Sequence, residues 1–175
     1  MELKLTPMLT ETAIMERVTA LGKEITADYR GKKPLILCVL KGSFLFYADL
    51  IRSIQLDVSC EFIGAASYGH SSKSSGEVKM TLDASYPIKG KDVLLVEDIV
   101  DTGLTMRYLQ EVLNTRQPAS LKTVTLLHKP AAKKVNCQID YLGFEIGNDF
   151  VVGYGLDYQG RYRNLPYIGQ IQNLN

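Results

Sequence analysis

The chain of 175 residues is poor in cysteine and histidine, has no long apolar run and carries almost no net charge. Three cysteines, Cys38, Cys60 and Cys137, are an odd number without paired spacing, which excludes a disulfide framework. They read as buried or half-buried thiols in a reducing cytosol. Only two histidines and no C-x-x-C pattern argue against a structural zinc site. The longest uninterrupted apolar stretches, residues 35–40 and 93–96, fall far short of a membrane span. Residues 1–7 contain neither an apolar core nor a small-residue cleavage site, so the expected location is the cytoplasm. Twenty Lys and Arg against nineteen Asp and Glu leave a net charge of +1. No nucleic-acid partner is expected from such a balance, with only a local basic patch left open. The 46% hydrophobic content is that of an ordinary globular domain, and the length suits one domain.

What is present is an alternation of helices and buried strands. Residues 10–30 read as an amphipathic helix with Ile14, Val18, Leu21 and Ile25 on one face and Thr10 as its cap. Leu35–Leu40 reads as a strand buried on both faces. A helix over 43–53 follows, with Leu45, Ala48 and Ile51 expected inside. Residues 58–67, Val78–Leu82, 92–96, 121–127 and 141–146 read as further strands, 151–152 continues the pattern, and 104–115 reads as a helix carrying Met106, Leu109 and Leu113. This order predicts an α/β domain with a largely parallel sheet, whose ligands sit beyond the carboxyl ends of the strands.

The chemistry concentrates after the apolar strand 93–96. Two adjacent acids, Glu97 and Asp98, come first; the turn Asp101-Thr102-Gly103-Leu104-Thr105 then leads into a helix. Backbone N–H groups at a helix start lack internal partners, and the helix dipole favours an anion, so the turn can wrap a phosphate monoester. Paired acids can hold a vicinal diol or a sugar–magnesium unit. Taken piecemeal, Asp101 is equally a helix cap and the acids a solvated strand end. No cap requires the whole run.

Residues 97–105 resemble the phosphoribosyl pyrophosphate (PRPP) motif of the type I phosphoribosyltransferases. The resemblance extends over nearly the whole chain, most closely to the shorter, bacterial form of the hypoxanthine-guanine phosphoribosyltransferases. It runs through Leu40-Lys41-Gly42-Ser43, Ser67-Tyr68-Gly69, Leu126-Leu127-His128-Lys129 and Phe150-Val151-Val152-Gly153-Tyr154-Gly155-Leu156-Asp157-Tyr158. It implies the type I phosphoribosyltransferase fold: a mainly parallel sheet flanked by helices, with a small hood and a flexible lid loop. All of 1–175 forms one domain on this reading, with 68–80 as the loop and about 137–175 joining the N-terminal segment in a base-binding hood.

The resemblance also assigns roles. Glu97 and Asp98 match the acids that hold the ribose hydroxyls, directly and through Mg²⁺. Asp101 matches the residue beside purine N7, a general base, and residues 101–105 the loop for the 5′-phosphate. Lys41 and Gly42 look like the pyrophosphate loop, helped by Arg163. Lys129 matches the lysine that reaches the purine 6-oxo group, Phe150 the aromatic that stacks on the base, and the Val151 main chain the contact to its Watson–Crick edge. Asp157 matches the ligand of a second magnesium, and Ser67 and Tyr68 match lid residues. The peptide bond between Leu40 and Lys41 is expected to be cis. Ser43 and Leu104 depart from the human-type pattern, where Gly and Lys can stand; backbone donors remain at both places. Neither His70 nor His128 needs a catalytic role.

The implied activity is purine salvage: transfer of the phosphoribosyl group from PRPP to hypoxanthine or guanine, giving IMP or GMP and pyrophosphate. The partners are then small substrates, no nucleic acid and no membrane, with a homo-oligomer, dimer or tetramer, expected. Two rivals are a PRPP-binding regulatory protein of the same fold and a transferase for another base such as xanthine. The segment 69–76 is small and polar, and reads as a lid that closes over the reacting centre to exclude water.

Overall fold

The computed structural model describes residues 4–67 and 78–172. The expected lid residue Tyr68 and the loop 69–76 lie outside the described residues, as does the side chain of Ser67.

Six strands form the main sheet: β2 (Leu35–Leu40), β3 (Ser59–Ser67), β4 (Val78–Leu82), β5 (Asp92–Val100), β6 (Ser120–His128) and β7 (Tyr141–Glu145). Their order is β4-β3-β2-β5-β6-β7, and only the edge pair β3–β4 is antiparallel. The central strands β2 and β5 are apolar on both faces because helices cover both. Helices α1 (Glu11–Asp28) and α2 (Phe44–Ser53) pack with Ile36, Cys38, Leu94 and Val96. On the other face α3 (Leu104–Thr115) lays Met106, Leu109 and Leu113 against Leu35, Leu37, Val93 and Leu95.

Helix α1 starts as its sequence predicts, with the Thr10 side chain accepting from the Ala13 N–H at 3.2 Å, and it buries Ile14, Val18, Leu21 and Ile25 completely. Helix α2 differs from expectation. Its buried residues are Phe46, Tyr47 and Leu50, while Leu45 and Ile51 only flank the core. The helix is apolar nearly all round, so periodicity alone leaves its rotation open; the Tyr47 hydroxyl, donating to the Ile36 carbonyl at 3.2 Å, helps hold the observed one. Cys60 is exposed rather than buried, because it shares an outward face of β3 with Phe62, two residues on.

A second sheet joins distant segments: β1 (Leu5–Leu9), β9 (Ile168–Ile171) and β8 (Val151–Val152), in the order β1-β9-β8 and antiparallel. This is the hood over the carboxyl end of the main sheet. β7 pairs with β6 and so belongs to the main sheet rather than to a hood beginning at 137. Strand β5 also runs four residues beyond the apolar stretch, because Glu97, Ile99 and Val100 stay in register with Thr125, Leu127 and His128 of β6. Among the described residues no helix is long and apolar enough to cross a membrane.

Candidate active site

The carboxyl ends of β2, β5 and β6 and the underside of the hood enclose a cleft of about 400 Å³. It gathers Lys41, Gly42, Glu97, Asp98, Asp101, Thr105, Lys129, Phe150, Val151, Asp157 and Arg163, eleven of the residues singled out by sequence. Thr102, Gly103 and Leu104 do not line it; Gly103 lines two smaller pockets that share Asp101. The sequence reading missed Val39, Leu40, Ala65, Ile99 and Leu156, which also line the cleft. Ile99 was within reach: a strand continued past Glu97 carries Ile99 on the same face.

The two helix starts near residues 10 and 104 differ. That of α1 has the Thr10 cap and Glu11 in its first turn. That of α3 has no cap from Gly103 and no acid in its first turn, and Thr102 Oγ1 meets only the Leu104 N–H, at a long 3.4 Å, so the following N–H groups and the dipole suit an anion. Gly103 turns the chain into α3 with φ +81°, and a Cβ there would lie 2.7 Å from the Val135 carbonyl oxygen. Asp101 accepts from the Thr102 N–H, and the Thr102 carbonyl accepts from Lys134 and Val135 at 3.0 and 3.1 Å. The loop is thus held by its own side chain and by the segment after β6.

Glu97 and Asp98 stand side by side on β5. Glu97 Oε1 accepts from the Asp98 N–H at 3.1 Å, and Asp98 Oδ1 from the Ile99 N–H at 2.7 Å. Burial, then the charge of Asp98, pushes the Glu97 carboxyl well above its ordinary range. Burial raises Asp98 too, opposed by its hydrogen bonds and by Arg163. A buried Glu97 beside a half-buried Asp98, both with raised titrations, is a donor set that a cation or sugar hydroxyls relieve. Hard carboxylate oxygens facing a cleft fit Mg²⁺, although among the described residues no three His, Cys, Asp or Glu cluster as a complete metal set. A magnesium ion held by these two acids would need its other ligands from substrate oxygens and water. Asp157 is engaged with Arg163 Nη2 at 2.6 Å and with the Gly160 N–H at 2.7 Å.

On the other side of the cleft Lys129 ends β6, its N–H bonded to the Val100 carbonyl at 2.9 Å. Phe150 is 43% exposed, which a core residue would not be, and meets Tyr158 edge-on at 5.7 Å. Its free face, with Ile99, Val151 and Leu156, makes an apolar wall. The Leu40–Lys41 peptide is cis, as expected. His128 lies 3.9 Å from Glu145 at the paired ends of β6 and β7, a strand-end position.

A model of the phosphoribosyl transferase domain matches residues 7–159. The chain belongs to this family. Among phosphoribosyltransferases of known name it is 48% identical over 169 residues to a hypoxanthine-guanine phosphoribosyltransferase of Dictyostelium discoideum, covering 94% of each chain. It is 47% identical over 162 residues to the bifunctional protein TilS/HprT of Listeria innocua, where 93% of this chain spans only 25% of the relative's length. A crystal structure of a hypoxanthine phosphoribosyltransferase from Staphylococcus aureus superposes with a TM-score of 0.92 at 44% identity, over 97% of this chain and 92% of the other. The type I phosphoribosyltransferase fold expected from sequence is therefore the fold observed.

Two variants probe the phosphoribosyltransferase cleft. A Cβ on Gly42 would lie 1.5 Å from Asp98 Oδ2, so Gly42→Ala must displace that carboxylate. The variant is expected to fold, because the obstacle is a side chain rather than backbone, and to weaken PRPP binding about tenfold or more by calorimetry. Glu97→Gln is expected to stabilise the free protein while impairing activity. The raised Glu97 carboxyl costs the fold nothing below its unfolded value of 4.5 and increasingly more as pH rises towards its folded value. The gain should be absent near about pH 4 and grow as pH rises above the unfolded value. Melting temperatures of both proteins across that range, without magnesium, provide the check.

Proposed function

We propose that the chain transfers the 5-phosphoribosyl group from PRPP to hypoxanthine or guanine, releasing pyrophosphate and forming IMP or GMP. The observation that carries this reading is convergence: one cleft holds a helix start entered through Gly103, a buried Glu97 beside a half-buried Asp98, a lysine and a half-exposed aromatic face. The first two suit a ribose 5-phosphate; the last two suit a flat oxopurine.

In this reading the start of α3 and Thr105 hold the 5′-phosphate. Glu97 and Asp98 orient the ribose hydroxyls. Phe150 stacks on the base, Lys129 donates to its 6-oxo group, and the Val151 main chain meets its Watson–Crick edge. Lys41, Gly42 and Arg163 receive the pyrophosphate end. Glu97, Asp98 and Asp157 would hold magnesium, which when bound would supply charge neutralisation for the departing pyrophosphate. N9 of the purine attacks C1 as the pyrophosphate leaves, and positive charge gathers on the ribose and base. Asp101 accepts the proton lost from the base or offsets its charge. No covalent bond to the protein is needed, which agrees with the lack of a nucleophilic Ser or Cys among the cleft residues named above.

The protein acts in the cytoplasm and as a homo-oligomer, dimer or tetramer. Phe44, 39% exposed, and Phe62, 43% exposed with its ring 5.4 Å from that of Tyr47, support self-association. Pyrophosphate release from PRPP with hypoxanthine, guanine, xanthine or no base tests the reading. Release with hypoxanthine or guanine is expected. Release with xanthine alone would assign another base, and binding of PRPP without release under any condition would favour a regulatory protein.

A further inference from the structure

The hood loop 153–157 is tied to α2 by a bond outside the proposed chemistry. Tyr154 is 5% exposed, and its hydroxyl donates to Asp49 Oδ2 at 2.6 Å. Asp49 also accepts from Arg52. Tyr154 holds a left-handed backbone, φ +47°, between Gly153 at +101° and Gly155 at +98°. A bulky residue adopts that conformation only where its surroundings impose it. Here the Tyr154 N–H is bonded to the Leu165 carbonyl at 2.8 Å while the ring is packed in the core beneath the hood. Burial and Asp49 push the phenol's titration up, so it remains a donor.

The next residue touches the other side of the cleft. A Cβ on Gly155 would lie 2.0 Å from the Gly42 carbonyl oxygen, so the hood backbone rests on the turn between β2 and α2. The Gly155 carbonyl accepts from Arg163 Nη1 at 2.5 Å, and Arg163 Nη2 pairs with Asp157. Asp49, Tyr154, Gly155, Arg163 and Asp157 therefore form one connected path from α2 to the pyrophosphate end of the cleft.

We propose that Tyr154 and Asp49 are a positioning pair that seats the hood on the Lys41–Gly42 turn and so places Arg163 and Asp157 for the pyrophosphate group. The inference rests on the reading of the cleft as a PRPP site. Neither residue touches substrate. Their effect should therefore fall on pyrophosphate, which the hood and turn grip together, and not on ribose 5-phosphate, which the start of α3 and the acid pair grip without the hood.

The test measures binding of pyrophosphate with Mg²⁺, and of ribose 5-phosphate, to the wild type and to Tyr154→Phe, Asp49→Ala and Asp49→Asn. Tyr154→Phe and Asp49→Ala should each weaken pyrophosphate about tenfold and leave ribose 5-phosphate within about twofold. Asp49→Asn should stay near the wild type, because its amide oxygen still accepts the phenol proton. The Tyr154→Phe/Asp49→Ala double variant should be no weaker than either single one, as expected for partners in one bond. Pyrophosphate affinity unchanged in both single variants would overturn the pairing, as would an equal loss for ribose 5-phosphate, which marks general loosening. A wild-type protein that binds neither ligand would overturn the reading of the cleft itself, and the pair with it.

Discussion

Replacing Asp101 by Asn is expected to slow the single-turnover reaction about 10²-fold or more while PRPP affinity stays within about threefold. In the proposed reaction Asp101 serves two functions at one position. One is structural: its Oδ1 accepts the Thr102 N–H and shapes the loop before α3. An Asn oxygen accepts the same bond, so the loop and its grip on the 5′-phosphate survive. The other belongs to the proposed reaction: Asp101 lines the cleft, where its carboxylate would carry the charge that takes up or offsets the purine proton. Asn cannot do this. General-base assistance is worth typically about 10²–10⁴ in rate, which sets the expected loss. Full turnover in Asp101→Asn would remove Asp101 from the base role, and loss of PRPP binding would make it first a loop residue.

Adenine is expected to be a poor substrate, with kcat/KM about 10³-fold or more below that of hypoxanthine. A lysine ammonium has three donors and no acceptor, so Lys129 suits a 6-oxo group. The 6-amino group of adenine is itself a donor. Two donors facing each other leave buried polar groups unpaired, at about 1–3 kcal/mol for each group, and the mispairing extends along the base edge. Lys129 lines the cleft because β6 ends beside β5, the Lys129 N–H fixed to the Val100 carbonyl. Lys129→Gln should narrow the ratio, since an amide offers both donor and acceptor. Comparable kcat/KM for adenine and hypoxanthine in the wild type would refute the assignment.

The site was legible where its chemistry is written in consecutive residues. Two acids, a spacer and Asp-Thr-Gly-x-Thr have no purely structural explanation as one run, and Glu97, Asp98, Asp101 and Thr105 of that run line the cleft. Lys129 and Phe150 were readable only through family resemblance, because a lone lysine at a strand end or a lone phenylalanine has many ordinary explanations. Contacts between distant segments left no local trace. β1 contains Pro7 and is only five residues long, and it becomes a strand by pairing with β9 at the far end of the chain. The continuation of β5 past Glu97 depends on β6 beside it. The close approach of Gly155 to Gly42 depends on how the hood sits, and no spacing encodes it.

The most direct measurement of the central claim is a mass balance. The protein is incubated with PRPP, Mg²⁺ and hypoxanthine, and all four organic and phosphate species are followed. The account predicts that hypoxanthine and PRPP disappear in equal amounts, that IMP and pyrophosphate appear in the same amounts, and that Asp101→Asn slows all four together. PRPP bound but never consumed, or pyrophosphate released without IMP, would contradict it.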